Sequence, residues 1–275
     1  MVSSLDASDG DALRFVGLAY AISWTSWLVW GLVAPGSGML GTGLFVLGGL
    51  GPLLAAALLA HVDGPGLRPW LAGIFRVRLR PRYYLLALSI PIGVILVAAV
   101  VHRVVLGAEF TPELLPSAIE YPLYLGVVVL LGGGLEEPGW RGYLQPRLQQ
   151  GRSALGASLL VGVVWTGWHA PLFVLPETLQ SGIDPALYVV QLLAMSVLLT
   201  WLTTVAGGSV VPAMVLHAGG NAILNYYPIG GAVGALSWPG LAILVGTLGV
   251  VALVVVARYG PDELAPSSSD ALSTQ

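Results

Sequence analysis

The chain has 275 residues, 56% hydrophobic and only 9% charged. A soluble domain carries roughly a quarter charged residues, so that class is excluded. The net charge of −3 is unevenly placed, arginine supplies every fixed cation, and cysteine is absent, which removes thiol nucleophiles, disulfides and cysteine metal sites.

Apolar runs of about 20 residues recur along the chain, each long enough to cross a bilayer core of ~30 Å. They do not alternate in the manner of barrel strands. The pattern predicts an all-α polytopic membrane bundle of about eight spans, near 13–34, 42–61, 83–105, 119–149, 153–175, 185–206, 208–227 and 238–257. The acidic opening MVSSLDASDGDALR lacks the positive stretch of a secretory signal, so the first run is expected to be a retained helix. After the second run come Arg68, Arg76, Arg78, Arg80 and Arg82, which place that loop and both termini in the cytoplasm. No basic footprint for nucleic acid is present. The polar, Pro/Ser-rich residues 260–275 are expected to form a disordered cytoplasmic tail.

An ionisable side chain at mid-bilayer costs a few kcal/mol, so such residues mark function. The fourth run ends in GGGLEEPGWRGYLQPRL, with Glu136, Glu137 and Arg141. Glu137 and Arg141 are four apart and share a helix face, which suits an ion pair. Glu136 points about 100° away and is open to another partner. Pro138 and the neighbouring glycines predict a break here. His169 lies in WTGWHAPLF, with Trp165 one turn before it as a wall of the same pocket. His217 and Asn221 again share one face. At a rise of 1.5 Å per residue, Glu136, His169, His217 and Asn221 fall roughly 20, 24, 14 and 20 Å above the inner side, compatible with one site. His61 and His102 stand at span ends and read as interfacial, and the tryptophans and tyrosines as belt anchors and packing.

The stretches E136-E137-P-G-W-R141, W165-T-G-W-H169 and H217-A-G-G-N221 resemble the motifs EExxxR, FxxxH and HxxxN of the CPBP family of intramembrane proteases, also called the CAAX-protease and bacteriocin-processing or ABI family. Trp165 replaces the usual Phe with another aromatic. The resemblance covers roughly residues 119–227, the expected catalytic core of a single transmembrane domain over 1–259. It implies an intramembrane endopeptidase acting on a membrane-embedded or lipidated peptide, in a multi-pass protein of the plasma membrane of a bacterium or archaeon. By the resemblance, Glu136 and His169 activate water, His217 and Asn221 stabilise the oxyanion, and Glu137, Arg141 and Trp165 support them. That reading uses no cofactor. A second mechanism on the same residues makes Glu136, His169 and His217 a zinc-ligand set. Two other functions stay open. One is a non-enzymatic immunity or scaffold role on the same fold. The other is a proton-coupled transporter, against which stands the lack of paired inverted halves.

Overall fold

The computed structural model describes residues 7–33 and 38–266. The chain is an integral membrane protein built as a helical bundle. Among the described residues there is no strand, only an isolated bridge between Tyr227 and Gly231. The first helix, α1 (Ala7–Val33), packs along a bent pair, α2 (Met39–Gly49) and α3 (Gly51–Val62). The pair bends by 56° at the intervening Leu50, where Pro52 starts the second member. Small residues permit the approach. A Cβ on Gly51 would stand 2.0 Å from Ser23 Oγ, and one on Gly48 would stand 2.2 Å from Trp27 Nε1. Without a hydrophobic drive between helices in lipid, such close backbone packing is a main source of association.

A short helix, α4 (Leu67–Ile74), and an irregular segment lead into α5 (Pro81–Leu106) and then α6 (Tyr121–Leu131). The predicted break follows α6. Gly133 takes φ +114°, a 3₁₀ turn covers Gly134–Glu136, and a helical run, α7, continues over 137–148. Then come α8 (Ala154–Trp168), α9 (Ala170–Val174), α10 (Pro185–Val205), α11 (Val211–Ile223) and α12 (Trp238–Tyr259). Helix α10 is the hub of the second half, packed against α8, α11 and α12. Helix α11 also lies against α5 and α6.

Each of the eight expected spans has helical counterparts, but they are unequal. Five helical stretches are long and apolar enough to cross a membrane, or six with the bent pair. The fifth and seventh spans are reduced to α8 and α11, of 15 and 13 residues. Both are interrupted at the polar motifs. The chain passes from α8 to α9 through His169, one residue before Ala170-Pro171, and α11 gives way to a 3₁₀ turn at Leu224.

Helix α7 carries a π segment, Trp140–Leu144. Pro146 has no N–H, so the i→i−4 bond to the carbonyl of Gly142 is not made. Trp70 of α4 donates to that carbonyl, with Nε1 3.2 Å from Gly142 O. Ile74 closes over the same glycine, its Cδ1 2.9 Å from where a Cβ would be. Replacing Trp70 by Phe should remove this hydrogen bond and lower stability by about 0.5–1.5 kcal/mol. Thermal unfolding in detergent would read that loss; an unchanged midpoint would deny the role.

Within the stretch 260–275 that composition assigns to the tail, residues 261–264 pack against α8. The carbonyls of Asp262 and Pro261 accept from the N–H groups of Ala154 and Leu155 at 2.7 and 2.9 Å, and Leu264 is fully buried. Helix α8 needs partners for its first amide groups, and the returning chain provides them beside the Ser153 cap. The remainder of that tail, 267–275, lies outside the described residues.

Candidate active site

The four polar positions singled out in the sequence converge. Glu136, His169, His217 and Asn221 line one cavity of ≈ 350 Å³, walled by Trp165, Trp168 and Tyr188. The 3₁₀ turn before α7 delivers Glu136, the α8–α9 joint delivers His169, and α11 delivers His217 and Asn221.

Glu136 is buried, and one of its oxygens is held from two sides. Oε2 accepts from Trp165 Nε1 at 2.8 Å and from Trp140 Nε1 at 3.3 Å. An indole can only donate, so both bonds favour oxygen lone pairs on this side. Oε1 is left without a hydrogen-bond partner among the described residues and is available to the cavity.

Glu137 is wholly buried and serves two cations or donors at once. Arg141 Nη1 lies 3.1 Å from its Oε2 and 3.3 Å from its Oε1. His217 Nδ1 lies 2.7 Å from Oε1. The expected i,i+4 pair is therefore present, and Glu137 also orients a site imidazole, a contact 80 residues away in sequence. Arg141 is fixed further by Ser196 Oγ at 3.0 Å and by the Trp165 ring, whose centroid is 5.0 Å from its guanidinium carbon. Ser196 Oγ in turn donates a hydrogen bond to the carbonyl of Ser158 at 2.7 Å.

The two imidazoles share a design. His169 Nδ1 is 2.9 Å from the carbonyl of Trp165, which can only accept, so Nδ1 carries a proton. His217 Nδ1 faces the Glu137 carboxylate and carries one for the same reason. In each ring Nε2 is then the atom left to act in the cavity. Aromatic edges lock both rings: Trp168 and Tyr188 lie 4.7 and 5.3 Å from His169, and Trp165 lies 5.0 Å from His217. Trp165 is thus more than a wall. It donates to Glu136, receives His169 on its carbonyl and stacks under Arg141.

Asn221 Nδ2 donates to Gly132 O at 3.2 Å, which ties α11 to the broken span. The next residue has to be glycine. Gly133 sits at φ +114°, and a Cβ on it would come within 2.7 Å of His217 Nε2 and 2.8 Å of Asn221 Nδ2. Gly133→Ala should cost about 1–3 kcal/mol of backbone strain. It should also lower any activity of the site by at least tenfold, because the added methyl occupies the space in front of both side chains. Comparing activity with thermal stability for this variant separates the effects; full activity would show that the space is not used.

Among the described residues no group of three His, Cys, Asp or Glu side chains is placed to hold a metal ion. Glu136 Oε1 and the Nε2 atoms of His169 and His217, the atoms that the zinc alternative would use, each remain open, and an Nδ1 hydrogen bond behind a ligating Nε2 is the usual arrangement at metal sites. Trp140, Ser196 and Tyr188 were not singled out by sequence; only Trp140, inside the EExxxR stretch, had a signal.

His102 is buried near Tyr227, whose hydroxyl is 3.4 Å from its Nδ1, and His61 is exposed at the end of α3. Neither lines the cavity.

Comparison with known proteins bears on the stretch that carries this site. Residues 118–223, which include all three motifs, match the family model described as type II CAAX prenyl endopeptidase Rce1-like. Over that stretch the chain is similar to the Rce1-like family. The chain is also 31% identical over 120 residues to the CAAX prenyl protease 2 of Methanococcus maripaludis, a match that covers 40% of this chain and 40% of that relative. The shared part is therefore less than half of either protein. The matched stretch runs from the start of α6 through α11 and holds all four polar residues of the cavity, while Trp27 and Phe45 of α1 and α2 and Leu241 and Leu244 of α12 line it from outside the match.

Proposed function

We propose that this protein is an intramembrane endopeptidase that hydrolyses a peptide bond of a membrane-associated substrate. The observation that carries the proposal is the cavity itself: a buried carboxylate, two imidazoles with Nε2 uncommitted, and a carboxamide converge inside a membrane bundle, on the Rce1-like stretch. Peptide hydrolysis needs an activated water, a stabilised oxyanion and a proton donor for the leaving amine.

In this reading Glu136, through Oε1, takes a proton from water as the water oxygen attacks the scissile carbonyl carbon, and His169 assists through Nε2. The negative charge moves to the carbonyl oxygen. Asn221 has a second N–H besides the one given to Gly132, and His217, once protonated on Nε2, can donate there too. Glu137 steadies that imidazolium, as a buried carboxylate behind a histidine does in hydrolases of other folds. The C–N bond then breaks, and the proton taken from water passes to the amine. The two indoles keep Glu136 aimed throughout.

The names of the family and of the relative make prenylated C-terminal peptides the first substrate class to assay. The Arg-rich loop supports a cytoplasmic placement of both termini, and the plasma membrane of a bacterium or archaeon is the proposed location. The test is incubation of purified protein with a library of membrane peptides, some carrying a prenylated C-terminal cysteine motif, with products read by mass spectrometry. Cleavage at a defined bond is expected. A folded protein that cleaves nothing, yet protects cells that express it, would replace the protease reading with an immunity or scaffold role.

A further inference from the structure

The segment between α3 and α5 is not used by this reaction, and it is unusual for a connection between spans. Residues 75–80 form neither helix nor strand. They are nonetheless fastened in place. Val210 N–H donates to Ile74 O at 3.0 Å, Ser209 Oγ to Arg76 O at 2.8 Å, and Tyr84 to Val77 O at 2.7 Å. Arg76 donates to Gly207 O. At its start the strap is anchored by Trp70 on Gly142.

This ordered strap presents Arg78 and Arg80, and the first turns of the flanking helices α4 and α5 add Arg68 and Arg82, all four exposed. None of the four makes an ion pair among the described residues. Arg82 only donates to the neighbouring Tyr83 hydroxyl and lies over its ring. Acidic groups at this end are engaged with other arginines: Asp9 with Arg152, Asp11 with Arg147, and Asp63 with Arg14. Val77, 64% exposed, and Leu67, 40% exposed, are interspersed with the cations.

A topology signal requires only a local excess of charge. It does not require a strap held in place by hydrogen bonds with Tyr84 of α5 and with residues 207–210 ahead of α11. The strap joins two spans, so it lies where the hydrocarbon ends and headgroups begin, with Tyr83 and Tyr84 in the first turn of α5. Guanidinium groups match phosphate in a two-pronged geometry. We propose that Arg68, Arg78, Arg80 and Arg82 form a binding site for the phosphate headgroups of anionic phospholipids in the adjacent leaflet. The apolar side chains between them rest on the acyl region. Because the strap is bonded to α7 and to the start of α11, bound lipid also stiffens the frame of the cavity. The inference does not depend on the protease reading.

The test titrates phosphatidylglycerol or phosphatidylcholine into the purified protein in detergent and counts retained lipids by native mass spectrometry. Wild type should retain phosphatidylglycerol preferentially. Each arginine lost should weaken retention about fivefold, so R78Q/R80Q/R82Q should fall on the order of a hundredfold. Lysine at the same three positions should keep most of the preference, which separates charge from folding, and circular dichroism checks the fold. Phosphatidylglycerol should also raise the thermal midpoint of wild type and not of the glutamine variant. Equal retention of the two lipids, or equal retention by wild type and the glutamine variant, would overturn the proposal. So would binding of inorganic phosphate without any preference between the lipids.

Discussion

Glu136→Gln is expected to abolish measurable cleavage while leaving the protein folded. The amide keeps the size of the carboxylate, and its carbonyl oxygen can still accept from Trp140 and Trp165. What disappears is the ability to take a proton from water. General-base assistance is worth about 10²–10⁴-fold, so the rate should fall by at least that range. Stability should change by no more than about 1 kcal/mol, since both hydrogen bonds survive. The assay is the rate of product formation from a substrate found in the peptide screen, beside a thermal unfolding curve. Cleavage within tenfold of wild type would remove Glu136 from the mechanism and turn attention to His169.

The second large effect is expected at Arg141, and on stability first. Both side chains of the Arg141–Glu137 pair are completely buried. Taking one partner away from a buried pair costs about 3–5 kcal/mol, because the other charge stays desolvated. Arg141→Leu should therefore unfold at a markedly lower temperature or denaturant level in micelles. The loss also frees Ser196 and the face of Trp165. The double change Arg141→Leu with Glu137→Met should recover most of that stability, since apolar replacements of buried pairs are often neutral. It should not recover activity, because His217 has then lost the carboxylate 2.7 Å from its Nδ1. A single variant that costs under about 1 kcal/mol would show that the pair is hydrated or rearranges. A double variant that is both stable and active would show that Glu137 does nothing for His217.

Much of the site was legible because lipid makes polar residues conspicuous. Glu136, His169, His217 and Asn221 stood out against apolar runs, and helical rise alone put them at compatible depths. The break before α7 followed from Gly132, Gly133, Gly134 and Gly139 with Pro138, and the Glu137–Arg141 pair from a spacing of four. The helical membrane class followed from run length and charge content. Local rules reach that far, since each involves residues within a turn or two of one another.

What the fold alone decided are contacts between distant residues. Glu137 joins His217 across 80 positions, Trp165 reaches Glu136 across 29, and Arg141 reaches Ser196 across 55. No spacing encodes these: the sequence marks Trp165 as a pocket wall, but not that its indole and that of Trp140 both donate to Glu136. Which of two adjacent carboxylates faces the cavity, and which backs a histidine, depends on how the broken span is rotated against α8 and α11. That rotation is set by packing: by Pro52 against Gly139, by Trp70 on Gly142, and by the absence of a Cβ at Gly133. The return of residues 261–264 to cap α8 is of the same kind. A polar terminus is read from composition as unstructured, and only the unpaired amides of Ala154 and Leu155, brought near by the bundle, give it a place to bind.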